Sequence, residues 1–297
     1  MSTLLSRSPQ LTLREIGAAD ADAVAGIIHA AFAGIHDRHG FARDFPDRAS
    51  AEGLVQAFTA HPLIHGVVAE IDGRVVGSNF LDERGPVRGV GPITVDPGTQ
   101  ARGVGRALME AVIDRGEGAL DVRLLQDAFN SASMALYTGI GFATREPVAL
   151  LGGRPRADVA GGIEVRPLGV DDLEAAAELH LRVHGFDRSR ELRDALDSPL
   201  LEPMAGFRDG RLVAYAAGTT AFAASHGVGE TQEDLYELIV GALAATSAPA
   251  SLLLPTRQTE LFRSLLAAGL RVVKPMTYMT LRDYREPAGA WFPTVLY

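Results

Sequence analysis

Two clusters of residues in this sequence have the types and spacing to do chemistry. The first is Ile93-Thr94-Val95-Asp96-Pro97-Gly98-Thr99-Gln100-Ala101-Arg102-Gly103-Val104-Gly105-Arg106. An apolar strand ends at Val95, a Pro-Gly turn follows, and a helix begins near Gly103. Its apolar face is Val104, Ala107, Leu108, Ala111 and Val112, at helical spacing. The first turn of a helix has amides without intrahelical partners, and the helix dipole adds positive potential there. Phosphate and pyrophosphate suit such a place. Glycines at 103 and 105 allow a bulky anion close approach, and Arg102 and Arg106 add charge-assisted contacts. The Gly-Lys-Ser/Thr of a nucleotide-hydrolysing loop is missing, which argues against ATP or GTP hydrolysis. A dinucleotide fingerprint needs a third glycine where Leu108 stands. Taken alone, this cluster is also compatible with a glycine turn that merely opens a helix.

The second cluster is Asn130-Ser-Ala-Ser133-Met-Ala-Leu136-Tyr137-Thr-Gly-Ile-Gly141-Phe142. Together the two resemble the GNAT acetyltransferase superfamily. Gln100, Gly103 and Gly105 fill its Gln/Arg-x-x-Gly-x-Gly/Ala loop, and Asn130, Ser133, Leu136, Tyr137, Gly141 and Phe142 fill its second pattern. The resemblance covers most of residues 10–151. It implies acetyl-CoA as cosubstrate, held in a cleft between two splayed strands. The pantetheine would run along Ile93, Thr94 and Val95, and the pyrophosphate would rest on Gln100, Ala101, Arg102, Gly103, Val104, Gly105 and Arg106. Asn130, Ser133 and Tyr137 would complete the cofactor site. Pro92 fits a splaying strand, because proline donates nothing to a ladder and belongs at a bulge or unpaired edge; a strand that starts after it reads equally well.

The resemblance makes Tyr137 the general acid for the departing thiolate. A phenol, with a pKa near ~10, is protonated at neutral pH. A general base is harder to find. Many relatives place a glutamate on the strand before the phosphate loop, but Val87–Val95 carries no carboxylate. Asp82, Glu83 and Asp96 are read as hairpin-end or turn residues. His29, His36 and His39 are read as surface histidines, and His36-Asp-Arg-His39 is too little for a metal site. No metal is expected. A water chain would also serve as base. Phe41 and Phe45 either recognise an apolar acceptor body or pin their loop to the core. In the enhanced-intracellular-survival acetyltransferases, built from GNAT units in tandem, the terminal carboxylate serves as base. The same role for Tyr297 here is one reading of the apolar tail Trp291–Tyr297; a final strand closing the second half is the other.

The elements that must position these groups read as strand 11–15, helix 20–33, loop 34–47, helix 49–59 and hairpin 66–81. A strand over 87–95, helix 103–115, strand 119–125, helix 130–138 and strand 142–151 follow. The plan then recurs. Leu11-Thr-Leu-Arg14-Glu-Ile16-Gly17-Ala-Ala-Asp20 returns as Ile163-Glu-Val-Arg166-Pro-Leu168-Gly169-Val-Asp-Asp172, and the hairpin turn Asp72-Gly73-Arg74 as Asp209-Gly210-Arg211. Gly141-Phe142 returns as Gly269-Leu270. Copies this long are a duplication rather than a solenoid. The expected fold class is α/β: two tandem GNAT-like folds, each a mixed, mostly antiparallel sheet flanked by helices. Residues 1–151 would be the acetyltransferase domain and 163–297 a degenerate copy, joined by the glycine-rich stretch 152–162. The second copy has no phosphate loop. Glu230, Glu233 and Asp234 would repel a pyrophosphate, and Leu265 stands where Tyr137 would be. Tandem arrangements with one working half resemble mycothiol synthase, although there the working half is the second.

Composition sets the remaining limits. The 297 residues are 47% hydrophobic and 22% charged, which excludes wholesale disorder. Zero cysteines exclude disulfides, thiolate metal sites and a cysteine acyl-enzyme. The net charge of −9 is spread over both halves without a basic patch, against nucleic acid or anionic membrane as partners. No apolar run is read as a membrane span and no signal peptide is read, so cytoplasm is the default. A homodimer stays open. The function expected is N-acetyl transfer from acetyl-CoA to an amine of a small molecule or peptide by direct attack. The alternatives are a non-catalytic CoA-binding or sensing module and an acyltransferase using a longer acyl-CoA.

Overall fold

A computed structural model describes residues 10–99, 103–156 and 161–297. In chain order the first elements are β1 (Leu11–Glu15), α1 (Ala21–His39), α2 (Arg48–Ala60), β2 (Ile64–Ile71) and β3 (Arg74–Asp82). Next come β4 (Val87–Val90), β5 (Thr94–Val95), α3 (Val104–Arg115), β6 (Asp121–Asp127), α4 (Ser131–Gly139) and β7 (Ala143–Gly153). The second copy contributes β8 (Glu164–Pro167), α5 (Leu173–His184), α6 (Ser189–Asp197), β9 (Met204–Arg208) and β10 (Arg211–Ala216). It ends with β11 (Gly227–Gly229), α7 (Gln232–Ala245), β12 (Ala250–Pro255), α8 (Thr259–Ala267), β13 (Arg271–Thr280) and β14 (Ala290–Phe292). The architecture is mixed α/β, as expected. The chain forms two compact units, residues 1–83 with 90–118, and residues 84–89 with 119–297.

The first unit is built on an antiparallel ladder of β1, β2 and β3, with β5 paired to β3 through Gly77↔Val95 and Ser78↔Thr94. Asp72 and Gly73 both take positive φ (51° and 76°), so the Asp-Gly dipeptide makes the hairpin turn that its type favours. Val24, Ala25 and Ile28 of α1 pack with Ala51 and Val55 of α2 over Val68 and Phe80. The Asp47 side chain caps α2, accepting from the Ser50 amide at 2.8 Å. Helix α1 runs to His39, beyond the expected end, and stops where Gly40 adopts a left-handed φ of 72°. By length and composition residues 18–39 reach the range of a membrane span, which the sequence reading missed. One face of that helix is nevertheless in the core.

The second unit holds two sheets. One runs β4-β6-β13-β7-β12, with β4 and β6 parallel and every other pair antiparallel. The other runs β14-β11-β10-β9-β8 and is antiparallel throughout. Helices α7 and α8 supply Leu235, Leu238, Ile239, Leu261 and Leu265 to the core. The Asp209-Gly210 turn repeats the backbone of its counterpart, with φ of 52° and 76°. One expectation needs correction. Gly152 and Gly153 do not open a linker but end β7, facing Ser251 and Ala250 of β12. Between β6 and β7 lies β13, with Met276↔Asp127 on one side and Met276↔Val148 on the other.

Candidate functional site

The strand expected over 87–95 is two strands. Val87, Arg88 and Gly89 pair with β6, whereas Thr94 and Val95 pair with β3. Pro92 lies in neither ladder, as a residue without an N–H requires. Thr94 is buried, its hydroxyl 3.2 Å from that of Ser78. Gly77 lets β5 come this close, since a Cβ there would stand 2.7 Å from the Thr94 carbonyl oxygen. Asp96 then folds the chain: its carboxylate accepts from the Gly98 amide at 2.8 Å and pairs with Arg74 at 3.2 Å. Ile93 and Val95 are half-buried. Gln100, Ala101 and Arg102 lie outside the described residues.

Gly103 has φ 78° and ψ 0°, and no atom lies within 4 Å of where a Cβ would be. This left-handed residue is followed directly by α3. The first helical donor is Ala107, which bonds the Gly103 carbonyl at 3.0 Å. The amides of Val104, Gly105 and Arg106 therefore have no acceptor within the helix. Arg106 is half exposed and, among the described residues, reaches Glu110 at 3.5 Å. The hydroxyl of buried Thr99 has no hydrogen-bond partner among the described residues. These groups have the character of an anion cradle: open amides, a helix N-terminus, a glycine without steric cover and a nearby cation.

Asn130, Ser133 and Tyr137 belong to the other compact unit. Asn130 caps α4, accepting from the Ser133 amide at 3.3 Å, so part of its role is local. Tyr137 is 6% exposed and leans on Phe142 with ring centroids 6.2 Å apart. Burial first, and then the Asp127 carboxylate, push its phenol well above the ordinary value. The proton stays on. A protonated phenol is able to donate.

The candidate bases are less free. Glu83 makes two 3.0 Å bonds with Arg115, and Asp96 is taken up as described. Asp82 is buried at the end of β3. His36 is not on the surface, as expected, but fully buried: α1 continues past it, and Nδ1 sits 2.8 Å from the Phe32 carbonyl with Asp44 3.6 Å from Nε2. His29 buries Nε2 without a partner, and His39 is exposed at the helix end. Phe45 pins its loop, edge-on to Phe32 at 5.1 Å. In the second copy Asp234 closes a capping box with Thr231, Glu230 pairs with Arg182 and Arg211, and Leu265 is core.

β14 closes the second sheet beside β11, and the residues after it reach β4 of the first copy. A Cβ on Gly89 would stand 2.7 Å from Leu296 and Tyr297. The Tyr297 hydroxyl donates to Glu191 at 2.5 Å, and its main-chain oxygen accepts from Arg188 at 3.0 Å and from the Thr294 hydroxyl at 3.0 Å. Sequence reasoning missed Gln126, whose amide is buried with neither atom bonded, and the buried ion pair Asp127–Lys274 at 2.7 Å. The signal for the second was visible, because Lys274 is the chain's only lysine.

Residues 31–142 match the sequence profile of the Acetyltransferase (GNAT) family. A stretch of 68 residues is 47% identical to mycothiol acetyltransferase of Kocuria rhizophila, covering 22% of this chain and 22% of that protein. Among solved structures, a Pyrococcus horikoshii protein assigned as an acetyltransferase aligns over 99% of this chain and 98% of its own, with TM-score 0.74 at 14% identity. A GCN5-related N-acetyltransferase from Sphaerobacter thermophilus aligns over 94% and 98%, with TM-score 0.61 at 17% identity. A tandem GNAT protein from the clavulanic acid biosynthesis pathway aligns over 94% and 99%, with TM-score 0.57 at 16% identity. At these identities the structures speak for the fold alone, a mixed α/β fold shared over nearly the whole chain.

Proposed function

We propose that the chain, whose residues 31–142 match the GNAT family profile, is an N-acetyltransferase, moving acetyl from acetyl-CoA to an amine by direct attack. The observations that support this reading are, each by itself, the α3 N-terminus that opens behind left-handed Gly103 and the buried Tyr137, whose phenol stays protonated. Residues 1–151 are the working domain in this reading and 163–297 a supporting copy.

Acetyl-CoA, when bound, supplies the acetyl group as a thioester. The Val104, Gly105 and Arg106 amides, with Arg102 and Arg106, take the pyrophosphate. In this reading Ile93, Thr94 and Val95 would contact the pantetheine, and Asn130 and Ser133 would complete the cofactor site. Tyr137 gives its proton to the departing sulfur and recovers one from the acylated nitrogen through solvent, so one proton leaves per turnover when the amine arrives as an ammonium ion. No cysteine is present to form an acyl-enzyme.

The missing carboxylate on Val87–Val90, with Glu83 and Asp96 already paired, favours a second reading: a CoA-binding module without turnover. Calorimetric titration with acetyl-CoA and CoA, followed by an amine panel of aminoglycosides, polyamines, amino acids and peptide N-termini, separates the two. Turnover that drops at least ~10-fold in Tyr137→Phe at unchanged acetyl-CoA affinity supports the enzyme. Binding without turnover across the panel supports the module, and full activity in Tyr137→Phe removes the acid role.

A further inference from the structure

Of the 28 basic residues, 27 are arginine and one, Lys274, is lysine. The chain has no aversion to burying guanidinium groups, since Arg123 and Arg188 are both buried. Position 274 is thus a local demand for a compact ammonium rather than a planar fork. The side chain is 1% exposed on β13, and Nζ meets Asp127 Oδ1 at 2.7 Å with the Phe222 ring 5.7 Å away.

The pair stands at one particular joint. Asp127 ends β6, and its carbonyl accepts from the Asn130 amide at 2.9 Å, closing the turn that launches α4. One residue on, the Ala128 amide donates to the Pro275 carbonyl at 3.1 Å. Adjacent residues of β13 therefore hold adjacent residues of the turn, one through its side chain and one through its backbone. Tyr137 rides on the helix that starts there.

We propose that Lys274 is a positioning residue of the acetyl-transfer site: by pairing with Asp127 it fixes the β6–α4 turn and so the place of the Tyr137 hydroxyl. The proposal rests on the reading of Tyr137 as proton donor. It also gives the degenerate second copy a task, since β13 comes from that copy while β6 and α4 come from the first. Without Lys274 the Asp127 carboxylate loses the ammonium that stands 2.7 Å away, and the turn loses that side-chain tether.

The test uses the full chain and Lys274→Met, with Lys274→Arg as the charge-retaining second variant should the first fail to fold. Hydrogen exchange over residues 127–139 is read first, because it needs no turnover. Faster exchange there, at unchanged exchange over residues 104–115, supports the proposal; unchanged exchange over 127–139 in a folded variant overturns it. With an amine found by the panel, kcat should fall about tenfold while acetyl-CoA affinity stays within about twofold. In a Tyr137→Phe background the same substitution should change kcat by less than about twofold, because the group it positions is gone. Full multiplication of the two losses would make Lys274 a stability residue only. A wild-type chain that binds acetyl-CoA but acetylates nothing would count against the enzyme reading while leaving the exchange result to decide the tether.

Discussion

The Gln258 side-chain amide takes up both main-chain groups of Trp291, donating through Nε2 to its carbonyl at 2.6 Å and accepting through Oε1 from its N–H at 2.8 Å. Gln258 stands at the N-cap position of α8 as Asn130 does at that of α4, each at the same distance ahead of Gly269 and Gly141, but the Gln258 side chain turns to Trp291 instead of capping its helix. β14 thereby has a ladder on one edge, with β11, and a side chain imitating a ladder on the other. Trp291 is the only tryptophan, which makes the strand optically visible.

Gln258→Leu would leave a buried donor and a buried acceptor unpaired, at about 1–3 kcal/mol each. We expect the urea midpoint to fall at unchanged m by the equivalent of about 2–4 kcal/mol, with Trp291 emission shifted to the red. An unshifted midpoint would mean that β11 alone holds the strand.

The cofactor loop offers a separate test. Gly103→Asp puts a carboxylate at the helix N-terminus and forces a side chain into a left-handed backbone at about 1–3 kcal/mol. Acetyl-CoA affinity should fall at least ~100-fold while the chain stays folded. Gly103→Ala, with the strain but not the charge, should lose far less. Equal losses in calorimetry would locate the effect in the backbone and not in repulsion.

Parts of this layout were legible in the sequence for identifiable reasons. Asp72-Gly73 and Asp209-Gly210 announced hairpins because only a few residue types tolerate their φ. The face Val104, Leu108, Val112 announced α3. The rest depends on partners that a one-dimensional pattern does not name. The Asp47 cap of α2 went unread, and nothing local to Arg271–Thr280 says that this strand inserts between β6 and β7. His36 looked like surface because it is polar; its ring is satisfied one helical turn back, at Phe32, so it can be buried. Of the site residues, the motif positions were found by spacing, whereas Asp127–Lys274 joins two copies and has no spacing to recognise.

Acid should unfold this chain early. His180, His184 and His226 are buried together; burial, and then neighbouring histidines and arginines, hold each imidazole's pKa well below 6.5. Unfolded, they bind protons from about 6.5 downward, and folded they do not. The unfolded state thus binds more protons below that pH, so stability is present above 6.5 and is lost as pH falls. The slope reaches about 1.4 kcal/mol per pH unit for each histidine. Burial alone would raise the Glu191 carboxyl, but Arg188 and Arg84 override it and bring it down to about 2. Its contribution disappears later, between its unfolded value near 4.5 and that limit. Thermal melts between pH 7.5 and 5.5 should show a steep fall that His180→Gln makes shallower; a flat profile would contradict neutral burial.

The end of the chain tests whether Tyr297 anchors or reacts. Its ring lies against the Arg188 guanidinium at 4.0 Å, its hydroxyl on Glu191, and its main-chain oxygen on Arg188 and Thr294. An oxygen engaged by a buried arginine is poorly placed to take a proton, so these contacts support anchoring. Tyr297→Phe removes a hydrogen bond to an ionised carboxylate, worth about 1.5–3 kcal/mol. Tyr297→Ala should cost about 3–5 kcal/mol as a large buried side chain is lost. Gly89→Ala attacks the same contact from β4, where a new Cβ would stand 2.7 Å from the Tyr297 ring and from Leu296. If the contact is what matters, Gly89→Ala should destabilise the wild type by more than it destabilises Tyr297→Ala, with a coupling of about 0.5–3 kcal/mol. Acetyl transfer by the folded fraction of Tyr297→Phe should stay within about threefold of wild type. Turnover that falls far more than stability in that variant would put Tyr297 in the chemistry.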